Sequence, residues 1–347
     1  FGSSVSRVLA AQAASPMALS VFVLALVVNI FTVVAASSHG EATTFSVQGR
    51  SINAWVPMCA ANIANRPLVI SLHAWGANKD QQQSMDQLTD YVGRECAVVL
   101  YPQGLRRGHL FGVFGFSWNA GGCCPDANTA HVNDVAFFGD VITEAGKRFA
   151  INENLVFVVG VSNGGMMANR LACSDTRIRA IVTIAGPLVN GTSQASAGES
   201  FQCKRRVPVL HFHGLVDPIV PFGGCNKTFG GFSCQGMQTW SGVNPFPSAQ
   251  QHIAAWRARN SVHPADQGRI TFKNGSATCT SWGNQPSNVT LCTLQYMGHS
   301  WPGRCNTIQK LVPPMFNCSF DIDASGQVMS FFRQYIPDPV ASRDIIV

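Results

Sequence analysis

Charged side chains are scarce in this chain: 12% of its 347 residues are Asp, Glu, Lys or Arg, whereas 46% are apolar. The formal net charge is +6, but the densest basic run is Lys204-Arg205-Arg206. Proteins that bind nucleic acid concentrate Lys and Arg in extended patches, so we expect no nucleic-acid partner. The low charge and high apolar content also exclude a disordered chain and predict a large buried core.

The sequence also lacks internal repeats and low-complexity linkers. Apolar runs typical of strands alternate instead with stretches typical of helices. Strands are predicted at 44–47, 51–56, 68–72, 97–101, 155–159, 179–184, 207–212 and 289–296, and helices at 80–95, 135–149, from 165, at 248–260 and at 326–335. This alternation predicts an α/β fold with a mostly parallel central sheet and helices on both faces, a three-layer sandwich. We expect one domain over residues 37–347.

Residues 1–36 have the character of a segment for export. An apolar run of residues 18–34 follows Met17, and the segment ends in the small residues Ala35 and Ala36. This pattern predicts a cleaved signal peptide and a secreted protein that is not held at a membrane after cleavage. An uncleaved anchor stays open as the alternative, because residues 16–38 could just span a bilayer.

Twelve cysteines, an even number, favour a disulfide framework in an exported protein. Short spacings favour the pairs Cys225–Cys234, Cys279–Cys292 and Cys305–Cys318, with Cys173–Cys203 as a fourth, although sequence alone leaves the connectivity open. A metal site is not indicated, since Cys123 and Cys124 are adjacent and no histidine lies at zinc-ligand spacing from them. Five Asn-x-Ser/Thr sequons, at Asn190, Asn226, Asn274, Asn288 and Asn317, predict a glycoprotein.

Ser162 is the strongest candidate for a reactive residue. It lies in Gly160-Val161-Ser162-Asn163-Gly164, directly after an apolar run and before a helical stretch. A serine on so sharp a strand-to-helix turn has a strained backbone and presents its hydroxyl above the sheet edge. The flanking glycines are needed because side chains there would collide with the turn. The pattern predicts a serine nucleophile.

A serine hydroxyl becomes nucleophilic when a histidine accepts its proton and a carboxylate orients that histidine. Behind such a turn the acid comes next along the chain and the histidine last. Asp217 follows the predicted strand 207–212, and His299 follows the predicted strand 289–296. We therefore predict Asp217 as the acid and His299 as the base, against the alternative that Asp217 only caps its turn.

The remaining histidines fit the role of base less well. His73, His109 and His131 precede the serine, His211 and His213 precede the acid, His252 lies on a predicted helix, and His263 lies in a polar loop.

The tetrahedral intermediate of such a reaction carries an oxyanion, which needs backbone donors. We assign these donors to the N–H of Asn163 and to that of Trp75 or Ala74 after strand 68–72. Trp118 and Trp301 are predicted to line the substrate cleft, with core packing as the alternative.

Four motifs occur together in one order: Ser-Trp-Asn-Ala-Gly-Gly-Cys-Cys at 117–124, Val-Ser-Asn-Gly-Gly-Met-Met at 161–167, His-Gly-x-x-Asp at 213–217 and Gly-His-Ser-Trp-Pro-Gly at 298–303. Residues 44–335 thereby resemble the secreted polyhydroxybutyrate depolymerase and feruloyl esterase family of α/β-hydrolases, relatives of the family 1 carbohydrate esterases. The resemblance implies a serine carboxylesterase without cofactor, with Ser162, Asp217 and His299 as its triad. Ala74 and Phe222 depart from the family's usual Gly and Tyr.

The resemblance leaves the substrate open. Members of this family cleave feruloyl or acetyl groups from xylan, or the ester links of poly(3-hydroxybutyrate). We favour polysaccharide esters, because we expect a single catalytic domain without a polymer-binding module, and we expect a monomer. A serine peptidase is less favoured, because such enzymes usually carry an additional gating domain, for which the single expected domain leaves no room. A non-catalytic binding protein on the same scaffold is the alternative of another class, although it would typically have lost a triad residue.

Overall fold

The apolar runs of this sequence form strands that are buried on both faces of one sheet. A computed structural model describes residues 40–59, 65–105, 115–121, 123–124, 127, 131–189, 203, 205–224, 247–305, 307–311 and 313–337. The described residues belong to one compact unit. The predicted signal at 1–36 and the domain start at residue 37 lie outside the described residues and stay predictions.

Ten strands are described: β1 Gly40–Val47, β2 Arg50–Pro57, β3 Arg66–Leu72, β4 Val98–Pro102, β5 Ile151–Val161, β6 Ile178–Ile184, β7 Val209–Gly214, β8 Arg269–Asn274, β9 Ala277–Trp282 and β10 Val289–Leu294. The α-helices are α1 Lys79–Asp86, α2 Asp134–Phe149, α3 Asn163–Ser174, α4 Ala249–Arg259, α5 Thr307–Leu311, α6 Pro313–Phe316 and α7 Ala324–Arg333. In the described part of the chain, no helix combines the length and the apolar character that a bilayer crossing requires.

The strands form one sheet in the order β1-β2-β4-β3-β5-β6-β7-β10-β9-β8. The six central strands in this order, β4-β3-β5-β6-β7-β10, are parallel to one another. Antiparallel strands flank them at both ends. Alternate residues of β5 belong to different cores: Val156 and Val158 pack with α2 and α3, whereas Phe157 and Val159 pack with α7. The predicted three-layer α/β-hydrolase sandwich is confirmed.

One prediction of secondary structure was wrong, and one pair of strands was not predicted. The helix predicted over 80–95 ends at Asp86, because Gln87 adopts a left-handed conformation with φ of 48°. The antiparallel pair of β8 and β9 was missed, because β8 is almost wholly exposed and lacks the alternation of apolar residues that marks a half-buried strand. The sequence Asn274-Gly275 at its turn is a hairpin signal that could have revealed it.

Five disulfides link the ten described cysteines. The predicted pairs Cys173–Cys203, Cys279–Cys292 and Cys305–Cys318 are confirmed. Cys59–Cys96 and the adjacent pair Cys123–Cys124 were not predicted. The predicted pair Cys225–Cys234 lies outside the described residues and stays a prediction.

Three of the five sequons fall on described residues. Asn274 and Asn317 are exposed, so both are accessible to a glycosyl carrier. Asn288 is buried, and its side-chain oxygen accepts a hydrogen bond from the Tyr335 hydroxyl. The prediction of a glycan at Asn288 therefore conflicts with the fold, because a glycosylated asparagine lies on the surface. Asn190 and Asn226 lie outside the described residues.

Candidate active site

Ser162 occupies the sharp turn between β5 and α3. Its backbone angles, φ of 55° and ψ of −123°, lie in a region that residues other than glycine rarely adopt. A Cβ on Gly160 would lie 2.4 Å from the Gly164 carbonyl, and one on Gly164 would lie 2.3 Å from the Leu72 carbonyl oxygen. Both glycines are therefore required by close packing, and the Ser162 N–H is held by the Ile184 carbonyl at 2.8 Å. The surrounding backbone thus maintains the strained conformation at Ser162.

Asp217 lies three residues after β7, and its buried carboxylate has two functions. Oδ1 accepts hydrogen bonds from the N–H groups of Ile219 at 2.8 Å and Val220 at 2.9 Å. Oδ2 accepts a hydrogen bond from Nδ1 of His299 at 2.7 Å. The two alternatives for Asp217, turn cap and partner of the histidine, are therefore both realised, one by each oxygen.

The charge state of Asp217 follows from these contacts. Burial acts to raise the pKa of this carboxyl, but the neighbouring His299 imidazole and the hydrogen bonds from His299 and Val220 outweigh burial and hold the pKa below its ordinary value. Asp217 is consequently a carboxylate at neutral pH. A carboxylate can only accept, so the proton of the shared hydrogen bond lies on Nδ1 of His299, and Nε2 is left as the basic nitrogen.

The loop after β10 fixes the position of His299. The N–H of Gly298 donates to the Asn317 carbonyl at 2.8 Å, and that of His299 donates to the Met315 carbonyl at 3.0 Å. The disulfide Cys305–Cys318 closes the same loop region. Since β5, β7 and β10 are parallel and belong to the neighbouring strands β5-β6-β7-β10, Ser162, Asp217 and His299 all follow strand ends at the same edge of the sheet.

The loop after β3 offers free backbone donors at this edge. Among the described residues, none accepts a hydrogen bond from the N–H of Ala74, Trp75 or Asn163. The N–H of Asn163 is unpaired because it belongs to the first turn of α3, where helical acceptors are missing. These are the backbone groups expected from the sequence to bind an oxyanion, and the described part of the chain leaves their hydrogen-bonding capacity unused.

His73 stabilises this loop as a neutral side chain. Its Nδ1 donates to the Ala74 carbonyl at 2.8 Å, and its Nε2 accepts from the N–H of Gly104 at 2.9 Å. Burial lowers the pKa of His73 to about 4, so the ring is uncharged at neutral pH. These contacts give His73 a structural role, which is to hold the loop after β3 in place.

The prediction that Trp118 and Trp301 line the cleft was wrong. Both side chains are 0% exposed, and each lies in one of the two hydrophobic cores. Their indole N–H groups are satisfied inside the protein, Trp118 by the His73 carbonyl at 2.9 Å and Trp301 by the Ser325 hydroxyl at 3.1 Å. Sequence position near a reactive residue cannot tell which side of the backbone a ring occupies.

Other apolar side chains, which the sequence analysis did not assign to the cleft, are exposed at this edge. Trp75 follows β3, Leu215 and Val216 follow β7, and Tyr296 follows β10, and each is more than 40% exposed. Large apolar residues in loops after parallel strands were the available signal, since such loops carry ligand sites. We refer to these four residues as the apolar rim.

A row of buried histidines supports the turn that carries Asp217. The Thr183 hydroxyl bonds Nδ1 of His211 at 2.7 Å, and Nε2 of His211 bonds Nδ1 of His213 at 3.0 Å. Nε2 of His213 donates to the Val220 carbonyl at 2.8 Å. Because the last acceptor is a carbonyl, one consistent set of donors runs from Thr183 to Val220 with both rings neutral. The row thus links β6, β7 and the turn of the acid.

We expect the fold to be sensitive to acid, because four of the described histidines are almost completely buried in it. Burial lowers the pKa of His73 to about 4 and of His252 to about 3, and it lowers those of His211 and His213. Each takes up a proton on unfolding below its unfolded pKa of about 6.5. Asp86 opposes them, since burial raises its pKa to about 6 and unfolding releases its proton. Because more of these groups gain than lose a proton on unfolding, the free energy of unfolding falls as the pH drops below about 6.5, by about 1.4 kcal/mol per pH unit for each net proton taken up.

Denaturant titrations at a series of pH values, followed by tryptophan fluorescence, measure this slope. The variant His252→Phe should reduce the slope of the free energy of unfolding against pH by the contribution of about one proton. The variant His263→Ala, at an exposed turn, serves as the control. A free energy of unfolding that stays constant from pH 6.5 to 4.5 would contradict the assignment of neutral buried histidines.

Comparison with known proteins supports an esterase relationship. The family model described as Phospholipase/Carboxylesterase matches residues 134–232. Feruloyl esterase B of Piromyces equi is 26% identical over 239 residues, which is 67% of this chain and 39% of the relative. Probable feruloyl esterase C of Aspergillus niger is 28% identical over 169 residues, 46% of this chain and 53% of the relative. The bifunctional acetylxylan esterase/xylanase XynS20E of Neocallimastix patriciarum is 28% identical over 176 residues, 50% of this chain and 22% of the relative.

This chain thus covers between 22% and 53% of the length of these curated relatives. Among solved structures, an acetyl xylan esterase from Aspergillus awamori superimposes with a TM-score of 0.52 at 14% identity, covering 80% of this chain and 99% of the other. At that identity the likeness shows a shared fold.

Proposed function

Because this chain is an α/β-hydrolase related to feruloyl and acetylxylan esterases, we propose that it is a serine esterase that cleaves carboxylic esters. The observation that carries this proposal is the hydrogen bond between Asp217 and His299, at the sheet edge where Ser162 follows β5. A carboxylate, an imidazole whose Nε2 has no hydrogen-bond partner among the described residues, and a strained serine are the groups that nucleophilic acyl transfer requires.

In the proposed reaction, Nε2 of His299 takes the proton of the Ser162 hydroxyl while Oγ attacks the ester carbonyl carbon. The carbonyl oxygen becomes an oxyanion, which the N–H of Asn163 and that of Trp75 or Ala74 stabilise. The tetrahedral intermediate collapses to an acyl-enzyme, and His299 gives its proton to the departing alcohol. Water, deprotonated by Nε2 of His299, then attacks the acyl-enzyme carbonyl carbon. His299 returns that proton to Oγ of Ser162 as the bond to the acyl group breaks, so the carboxylic acid is released and Ser162 is restored.

We further propose that the substrate is a feruloyl or acetyl ester of a plant-wall polysaccharide such as xylan. The names of the relatives and the apolar rim support this choice, since exposed apolar side chains at the site suit an aromatic acyl group. The alternative substrate, poly(3-hydroxybutyrate), is also apolar, so the assay must include it.

Secretion is part of this proposal. Five disulfides among the described residues are typical of proteins that fold in an oxidising compartment. A cleaved signal within residues 1–36 would account for export. Expression in a secreting host, followed by amino-terminal sequencing of the protein in the medium, tests both statements. Retention of the whole chain inside the cell would contradict them.

Parallel assays of the purified protein with methyl ferulate, acetylated xylan and emulsified poly(3-hydroxybutyrate) test the substrate. We expect release of ferulate or acetate to exceed release of hydroxybutyrate by at least tenfold in kcat/KM, about 1.4 kcal/mol of transition-state stabilisation. A preference for the polyester would overturn the substrate assignment but preserve the chemistry. Absence of turnover on all three and on p-nitrophenyl acetate would favour the non-catalytic binding protein.

A further inference from the structure

Trp118 lies between the two backbone segments that supply the proposed oxyanion donors. Its indole is fully buried and stands 4.8 Å from the His73 ring, measured between ring centroids. The residue thus contacts the loop after β3 directly. Its burial removes it from the cleft, but its contacts connect it to both halves of the proposed oxyanion site.

The first connection is with the start of α3. The Trp118 N–H donates to Oδ1 of Asn163 at 2.8 Å, and Nδ2 of Asn163 donates to the Trp118 carbonyl at 3.0 Å. Both bonds are buried, so breaking them would leave unpaired polar groups at a cost of about 1–3 kcal/mol each. The residue that follows the nucleophile is therefore tied by its side chain to the backbone of Trp118.

The second connection is with the loop after β3. The indole N–H of Trp118 donates to the His73 carbonyl at 2.9 Å. In a trans peptide the C=O and the following N–H point in opposite directions, so this bond sets the direction of the Ala74 N–H. The Ala74 carbonyl accepts from Nδ1 of His73 at 2.8 Å and from the N–H of Ala77 at 3.1 Å, which sets the direction of the Trp75 N–H in the same way.

The segment around Trp118 is itself firmly held. The Ser117 backbone exchanges two hydrogen bonds with Leu105, at 3.0 and 3.1 Å. The Asn119 N–H donates to Oδ2 of Asp134 at 2.6 Å, and Asp134 forms a buried ion pair with Arg50 at 2.6 Å. Trp118 therefore presents its donor from a rigid support, which is the condition for aligning another group.

We propose that Trp118 is a positioning residue that aligns the two halves of the oxyanion hole with each other. Its backbone fixes Asn163, and its indole N–H fixes the peptide that carries the Ala74 donor and adjoins the Trp75 donor. This inference rests on the proposed serine esterase function. It predicts that loss of the indole N–H weakens stabilisation of the transition state while substrate binding is retained.

The test compares Trp118→Phe with Trp256→Phe. Trp256 is also fully buried and donates its indole N–H to Oδ1 of Asn169 at 2.9 Å, so both changes remove one buried hydrogen bond. For Trp118→Phe we expect kcat on p-nitrophenyl acetate to fall about 10–100-fold, with KM changed less than about threefold, because a misaligned donor loses part of the 10²–10³-fold effect of one donor. Trp256→Phe should lower the melting temperature by an amount comparable to that of Trp118→Phe, while its kcat stays within about threefold of the wild-type value.

Affinity for a trifluoromethyl ketone, which forms an oxyanion with the serine, provides the readout that a structural role would not move. It should weaken in parallel with kcat for Trp118→Phe and stay unchanged for Trp256→Phe. If Trp118→Phe does not fold, Asn163→Leu breaks the other connection and should show the same split between kcat and KM. Equal losses of kcat in both tryptophan variants, or wild-type kcat in a folded Trp118→Phe, would overturn the proposal.

Failure of the proposed function has a different signature. In that case wild type and Ser162→Ala hydrolyse p-nitrophenyl acetate at the same rate. Where wild type is active and Ser162→Ala is inactive, the serine chemistry stands, and the comparison of the two tryptophan variants then decides the role of Trp118 alone.

Discussion

Replacing Ser162 by alanine should reduce kcat for ester hydrolysis on the order of 10⁴–10⁶-fold, because the attacking oxygen is removed and no acyl-enzyme can form. The protein should remain folded. Alanine adopts the same strained backbone as serine, and the close contacts of Gly160 and Gly164 that impose the turn are unchanged. We therefore expect the free energy of unfolding to change by less than about 1 kcal/mol.

Ser281→Ala is a matched control for this variant. Ser281 is also buried, lies on β9 and accepts a hydrogen bond from the Thr290 hydroxyl at 3.0 Å, outside the proposed triad. Initial rates with p-nitrophenyl acetate and melting curves of both variants make the comparison. Retention of more than about a tenth of the wild-type kcat by a folded Ser162→Ala would be incompatible with Ser162 as the nucleophile.

Asp217→Asn should lower kcat by about 10⁴-fold, the loss typical of a triad whose histidine is held in the wrong tautomer. The amide oxygen can still accept hydrogen bonds from the N–H groups of Ile219 and Val220. The amide nitrogen then faces Nδ1 of His299, where Oδ2 now accepts at 2.7 Å. A donor at that place forces the His299 proton onto Nε2, the nitrogen that must accept the serine proton.

The control for this variant is Asp266→Asn. Asp266 also accepts backbone N–H groups through both oxygens, from Gly268 at 2.8 Å and from Gly283 at 2.7 Å, but it contacts no proposed triad residue. Its replacement should leave kcat within about twofold of wild type. Steady-state kinetics at pH 7.5 compare the variants. If Asp217→Asn retained wild-type kcat, Asp217 would be a turn cap without a part in catalysis.

The parts of the site that could be predicted share a strong local signal. Ser162 follows an apolar run and lies between glycines that the turn demands. Asp217 and His299 could be placed because each follows an apolar strand, and the ends of parallel strands meet at one edge. Local pattern and chain order therefore sufficed to nominate three residues that are far apart in sequence.

The parts that could not be predicted depend on tertiary contacts. The rings of Trp118 and Trp301 are buried because of how distant elements pack around them, and sequence gives no direction for a ring in a loop. The disulfide Cys59–Cys96 joins residues 37 positions apart, so spacing gave no hint of it. The end of α1 at Gln87 was missed because nothing in that residue type demands a left-handed conformation.

The most direct test of the account is the site of covalent modification by diethyl p-nitrophenyl phosphate, which transfers a phosphoryl group to an activated serine and releases p-nitrophenolate. Peptide mass spectrometry of the inactivated protein should find one diethylphosphoryl group, on Ser162, with activity lost in proportion to its occupancy. Complete inactivation with the group on another residue, or full occupancy of Ser162 with undiminished ester hydrolysis, would contradict the assignment of Ser162 as the nucleophile.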